Sequence, residues 1–167
     1  MKSILFGDKD YFGIELGFTK TTYRYKLRFW IKGKPLGSFT KAGELNASIR
    51  EYKKFAINKE NYHLPVFDNF SPADIEYYLV GIFFTDEGNN VELKEIDKRQ
   101  SFYLFFGDQF SNQTGHTLLL YKYPNVIFII KRPMDGPVDC YEIQFETFRK
   151  VFDEYIDYTL HNDLIQP

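Results

Sequence analysis

Two early segments alternate with a strict period of two. In Phe12-Gly13-Ile14-Glu15-Leu16-Gly17-Phe18 every even position is apolar, and the odd positions are Gly, Glu and Gly. In Tyr23-Arg24-Tyr25-Lys26-Leu27-Arg28-Phe29-Trp30-Ile31 the odd positions are apolar, and the even ones are Arg, Lys and Arg until Trp30. Successive side chains of a strand point to opposite faces, so each segment predicts a half-buried strand with one wet face. Lys32-Gly33-Lys34 then reads as a hairpin turn. Pro35-Leu36-Gly37-Ser38-Phe39 reads as a short edge strand, because proline donates no ladder hydrogen bond.

From Ala42 to Ile57 the period changes to that of a helix: Leu45, Ile49, Tyr52 and Phe55/Ala56 share a stripe, with Arg50, Lys53 and Lys54 off it. Asn58 to Phe70 reads as a loop. A second helix starts at Ser71, with Pro72 in its first turn and Asp74 three residues after the cap. Its stripe is Ile75, Tyr78/Leu79 and Ile82/Phe83. Thr85 to Gln100 is polar, and Ser101 to Phe106 reads as a strand.

Thr117 to Lys122 and Val126 to Ile130 hardly alternate, and Tyr123-Pro124-Asn125 lies between them. Such strands are covered on both faces, which predicts that they sit at or near the centre of a sheet. Tyr141 to Phe145 alternates again. The last helix has its stripe at Phe148, Val151/Phe152, Tyr155/Ile156 and Thr159/Leu160, which leaves Asp153, Glu154 and Asp157 outside. The pattern predicts a single α+β domain over residues 1–167: an antiparallel sheet with about three helices packed mainly on one face.

The chain has 167 residues with 18 Phe, 13 Tyr and 1 Trp, so rings build the core or a contact surface. No apolar run approaches the roughly 20 residues of a membrane helix, and the Ile4-Leu5-Phe6 run is too short for a secretion signal. A cytoplasmic location and no membrane partner are the expectation. Cys140 is the single cysteine and reads as a buried, inert thiol. Net charge is −2, yet unevenly placed. Lys20 to Glu60 holds eleven basic and three acidic residues, whereas Pro133 to Asp163 holds eight acidic and two basic. Such asymmetry marks a contact surface or two neighbouring segments that cancel.

Chemistry is hard to find. His63, His116 and His161 stand apart at no metal-ligand spacing, and no Gly-Lys-Ser/Thr phosphate loop occurs. Neither cofactor nor metal is expected, and the chain does not read as an enzyme, although a site can assemble from residues remote in sequence. Tyr23 to Phe29 places rings beside cations, as in a base-stacking platform, but alternation sends rings and cations to opposite faces. The basic 20–59 segment leaves a nucleic-acid-binding module as the alternative function.

The opening also carries a family pattern. Phe6, Gly7, Asp8, then Phe12, Ile14 and Glu15, then Trp30, Ile31, Gly33 and Gly37 follow in order. The sequence resembles immunity protein family 42, bacterial proteins encoded beside polymorphic or contact-dependent toxins. The late apolar strands ending Lys131-Arg132 and the Phe145 to Leu160 helix resemble the family too, while Asn58 to Gln100 carries little of it. The resemblance implies a cytoplasmic immunity protein that neutralises a cognate toxin domain by stoichiometric binding, with no catalytic residues and no direct nucleic-acid contact. If the toxin is a nuclease, its substrate cleft is basic, and an inhibitor covering it presents carboxylates. The supply here is Asp135, Asp139, Glu142, Glu146, Asp153, Glu154 and Asp157, with Tyr158 as an aromatic anchor.

Overall fold

The computed structural model describes residues 2–20, 24–40, 42–80, 102, 116–131 and 136–164. They fall into two compact units. The first runs up to Ile57 and resumes at Ile143; the second lies between Asn58 and Glu142.

The first unit is built on a four-stranded antiparallel sheet in the order β1 (Ser3–Gly7), β2 (Phe12–Phe18), β3 (Tyr25–Ile31), β4 (Lys34–Leu36). The period-two segments are β2 and β3, paired from Phe12 opposite Ile31 to Phe18 opposite Tyr25. Ile31 pairs with Lys34, so β3 and β4 are joined by the two residues Lys32 and Gly33. Both have positive φ, 48° and 78°, as a primed hairpin turn requires.

One face of this sheet carries Phe12, Ile14, Leu16, Leu27, Phe29 and Ile31, all buried. It meets the last helix, Phe145–His161, named α3 below, which packs on β1 and β2, and helix α1 (Leu45–Asn58) packs on α3 through Tyr52 and Phe55. The core there is a cluster of rings. Phe152 stacks on Tyr52 with centroids 4.3 Å apart and planes 1° from parallel, and it also touches Phe12, Phe29, Phe148 and Tyr155. Tyr155 is fully buried, and its hydroxyl lies 2.9 Å from Ser48 Oγ. Ser48 donates its single proton to Leu45 O at 2.8 Å, so Tyr155 is the donor to Ser48. Burial raises the Tyr155 phenol above its ordinary range.

The second unit holds a three-stranded sheet in the order β5 (His116–Lys122), β6 (Asn125–Lys131), β7 (Val138–Gln144), with β7 running out at the unit boundary. β6 is central, as its continuous apolar run predicts. β5 bonds β6 along its length, and its Leu119 N–H also donates to Phe102 O at 2.8 Å. Leu118, Leu119, Leu120 and Tyr121 are all buried, so β5 too is covered on both faces. The α+β class with antiparallel pairing holds, with the strands divided between two sheets.

Asn58 to Phe70 is more ordered than the loop expected. It forms two 3-10 helices, Lys59–Tyr62 and Pro65–Asn69. Helix α2 (Pro72–Leu79) begins as its sequence dictates: Ser71 Oγ accepts from Asp74 N–H at 3.2 Å, and the Asp74 carboxylate accepts from Ser71 N–H at 3.0 Å. Its Glu76 is buried, accepts from Lys131 Nζ at 3.1 Å and lies 3.0 Å from His116 Nε2. Ile82, Phe83, the polar 85–100 segment and all of the expected 101–106 strand except Phe102 lie outside the described residues.

Candidate functional site

The acids of the last helix occupy its outer face, as its stripe demands: Glu146, Asp153, Glu154 and Asp157 are all exposed. Two are engaged by neighbouring cations on the same helix, Glu146 by Arg149 at 2.6 Å and Glu154 by Lys150 at 4.0 Å. Asp153 accepts from the Tyr52 hydroxyl at 3.2 Å. Desolvation, then the Asp153 charge, push that phenol above its ordinary range. Asp157 has no ion pair among the described residues. Arg149 and Lys150 are the basic residues of α3, so its outer face keeps a surplus of carboxylate. Tyr158 is half-buried, with its ring 5.5 Å from that of Phe6, so it is a fixed ring at the border of this face.

The remaining acids belong to the second unit or lie outside the described residues. Asp139 and Glu142 are exposed on β7, and Glu142 accepts from Asn125 Nδ2 at 2.8 Å. Asp135 falls outside the described residues. Cys140, expected to be buried, is exposed. It lies on β7, at the end of the three-stranded order, where an alternating strand keeps one side open. Desolvation of its sulfur and the nearby Glu142 charge push the thiol above its ordinary pKa, so it holds little thiolate at neutral pH.

The strand part of the basic segment places Lys26 and Arg28 on the outer face of the first sheet, while Arg50, Lys53 and Lys54 belong to α1. Arg28 lies between two rings, with its guanidinium carbon 4.6 Å from the Trp30 centroid and 4.5 Å from that of Phe39. Lys9 lies over the other end of the arrangement, 4.4 Å from the Trp30 ring. Beneath them is Glu15, which accepts from Arg28 at 2.7 Å, Trp30 Nε1 at 2.8 Å and Ser3 Oγ at 3.1 Å. Burial works to raise the Glu15 pKa, but these hydrogen bonds and the Arg28 charge outweigh it and hold the carboxyl below its usual range. A Cβ on Gly17 would lie 2.6 Å from Phe39 Cζ, so the bare backbone there makes room for that ring. Tyr25, Leu27 and Phe29 are buried on the opposite face, as alternation requires, and no base-stacking row forms from them.

The second unit also contains a cavity of about 190 Å³. Its walls come from the sheet (Leu120, Ile127, Ile129, Cys140) and from the segment Phe67 to Ile75; His63, Asp68, Lys122 and Glu142 are its polar groups. Lys122 and His63 both engage Asp68, at 2.9 and 3.4 Å. Among the described residues, no three His, Cys, Asp or Glu side chains gather as metal ligands.

A family model described as immunity protein 42 matches residues 1–158 and so runs through both units. The chain belongs to the immunity protein 42 family. Such membership makes it a toxin-neutralising immunity protein, a binder of a cognate toxin. Its fold is similar to that in the crystal structure of CdiI from Burkholderia dolosa AUO158, at 12% identity and a TM-score of 0.68, covering 93% of this chain and 99% of that one. No curated protein sequence matches it. Among the described residues no helix is long and apolar enough to cross a membrane.

The residues that carry the family pattern hold the first sheet together. Phe12, Ile14 and Ile31 are core, and Gly7 and Gly33 have positive φ. Glu15 and Trp30 form the hydrogen-bonded pair on the outer face of the sheet. These roles are structural.

Proposed function

We propose that this immunity 42 protein acts in the cytoplasm as a single domain over residues 1–167, and that it neutralises a nuclease toxin by one-to-one binding that covers the toxin's active site or substrate surface. The observation that carries the reading is the carboxylate surplus on the open face of α3. Glu146, Asp153, Glu154 and Asp157 are exposed there, and Tyr158 is fixed at its border. A nuclease cleft must neutralise phosphates and is therefore basic, so such a face is its electrostatic complement. The exposed Asp139 and Glu142 on β7 add to the same sign of charge. The likeness in fold to CdiI supports a setting of contact-dependent inhibition, in which the toxin is encoded beside its inhibitor.

The test replaces Asp153, Glu154 and Asp157 together by Ser. Affinity and association rate for the toxin domain encoded by the neighbouring reading frame are then measured at two salt concentrations. Close charge pairs at interfaces couple by roughly 1.5–7 kcal/mol, so the expected loss is tenfold or more in affinity with a flatter salt dependence. Unchanged affinity and an unchanged salt slope would remove this face from the interface.

A further inference from the structure

We propose that the cavity of the second unit is a socket for one large apolar side chain of the toxin domain, seated beside a Lys or Arg that meets Glu142. The inference rests on the inhibitor reading above and names a place on the surface that the acidic helix does not include.

The size suits one ring. The cavity measures about 190 Å³. An engineered apolar cavity of about 150 Å³ is known to take benzene, so a Phe or Leu side chain fits here. The walls suit it as well: the apolar side chains Phe67, Ile75, Leu120 and Ile129 line it and are themselves buried. Interface hot spots are of this kind, with an anchor side chain entering a well-packed, desolvated pocket.

The rim says what stands next to the anchor. Asp68 is neutralised by Lys122 at 2.9 Å, with His63 also in contact at 3.4 Å. Among the described residues Glu142 meets no cation and receives the neutral Asn125 amide, at 2.8 Å. Of the described lining groups it is therefore the carboxylate left without a counter-charge, and charge complementarity calls for a cation on the partner. Tyr123, next in the chain to the lining Lys122, is 84% exposed, a large ring open to solvent. Aromatic side chains of this kind are enriched at hot spots.

Cys140 makes the socket testable, because it is the single cysteine of the chain and lines the cavity. The probe is the purified toxin domain encoded by the neighbouring reading frame. First, the intact protein is treated with a small maleimide at about pH 8.5, where a thiol begins to ionise, with and without saturating toxin. The proposal predicts that toxin slows labelling at least tenfold. Second, Cys140→Phe fills the socket from its own wall, and Cys140→Ser serves as the control of unchanged volume. The expected result is toxin binding weakened roughly 30-fold or more by Cys140→Phe and left as it was by Cys140→Ser. Should Cys140→Phe fail to fold, the labelling of the intact protein decides alone. Tight toxin binding with unchanged labelling, or with full affinity in a folded Cys140→Phe protein, overturns the socket and leaves the inhibitor reading standing. Absence of any binding by the intact protein overturns both.

Discussion

Replacing Gly7 by Ala tests how closely α3 is seated on the first sheet. Gly7 has φ +76°, and a Cβ there would lie 2.5 Å from the Phe12 carbonyl oxygen and 2.6 Å from Val151 Cγ2. Two costs add. A left-handed conformation costs a residue with a Cβ about 1–2 kcal/mol. Overpacking costs about 1–3 kcal/mol more, because one clashing atom is backbone and the other belongs to a helix that must move as a unit. The expected destabilisation is therefore about 2–5 kcal/mol, which for a protein of this length lowers the melting temperature by roughly 5–20 °C. Gly33→Ala is the internal control. Its φ is +78°, but the nearest atom to a built Cβ is Asp10 Oδ1 at 3.7 Å, so only the conformational cost applies. Urea unfolding of both variants measures the difference. If Gly7→Ala is no more costly than Gly33→Ala, the close approach of α3 to the β1 end is wrong.

Further outcomes follow from buried polar groups. Ser48→Ala should cost about 1–3 kcal/mol, because the fully buried Tyr155 hydroxyl loses its partner. Tyr155→Phe in the same background should recover much of that loss in a double-mutant cycle by urea unfolding; no recovery would contradict the Ser48–Tyr155 pairing. Stability should also fall in acid in two windows. The His116 imidazole is held below its ordinary 6.5, by desolvation and then by Lys131 against the pull of Glu76, so the unfolded chain binds the proton first and stability declines as pH drops below 6.5. The Glu15 carboxyl is held below its ordinary 4.5, so its contribution is present above 4.5 and is lost as pH falls through the folded value. Urea midpoints against pH measure both, and Glu15→Gln should flatten the lower window; an unchanged profile there would count against the Glu15 cluster.

Much of the fold was legible because local periodicity and capping agree with the tertiary structure. The alternation of β2 and β3 assigned their side chains to faces, although the face of β2 expected to be wet is buried at Gly13, Glu15 and Gly17, and the Ser71–Asp74 pair placed the start of α2. The last helix shows where periodicity needs care. Phe148 and Thr159 are eleven residues apart, about 20° from three full turns, and both are buried; Leu160, one residue on, swings about 120° from Phe148 and is 57% exposed. Its apolar character suggested burial that its position forbids. Cys140 misled for a related reason: a small apolar residue on an alternating strand is buried only if its side of the sheet is covered. The outer face of the first sheet was half legible. Gly13 and Gly17 flank Glu15 at outward positions, which signals a bare surface onto which something else must pack. That Phe39 and Trp30 supply it, with Arg28 between them, depends on strand register and on a chain return that no local pattern encodes. The cavity of the second unit was not legible at all, because its walls come from three stretches of chain that share no motif.

The central claim is stoichiometric neutralisation, and the most direct measurement titrates the activity of the toxin domain encoded by the neighbouring reading frame with this protein. At toxin concentrations well above the dissociation constant, activity should fall linearly and reach its floor at one equivalent. Toxin activity that persists undiminished at a tenfold excess of the protein would contradict the account.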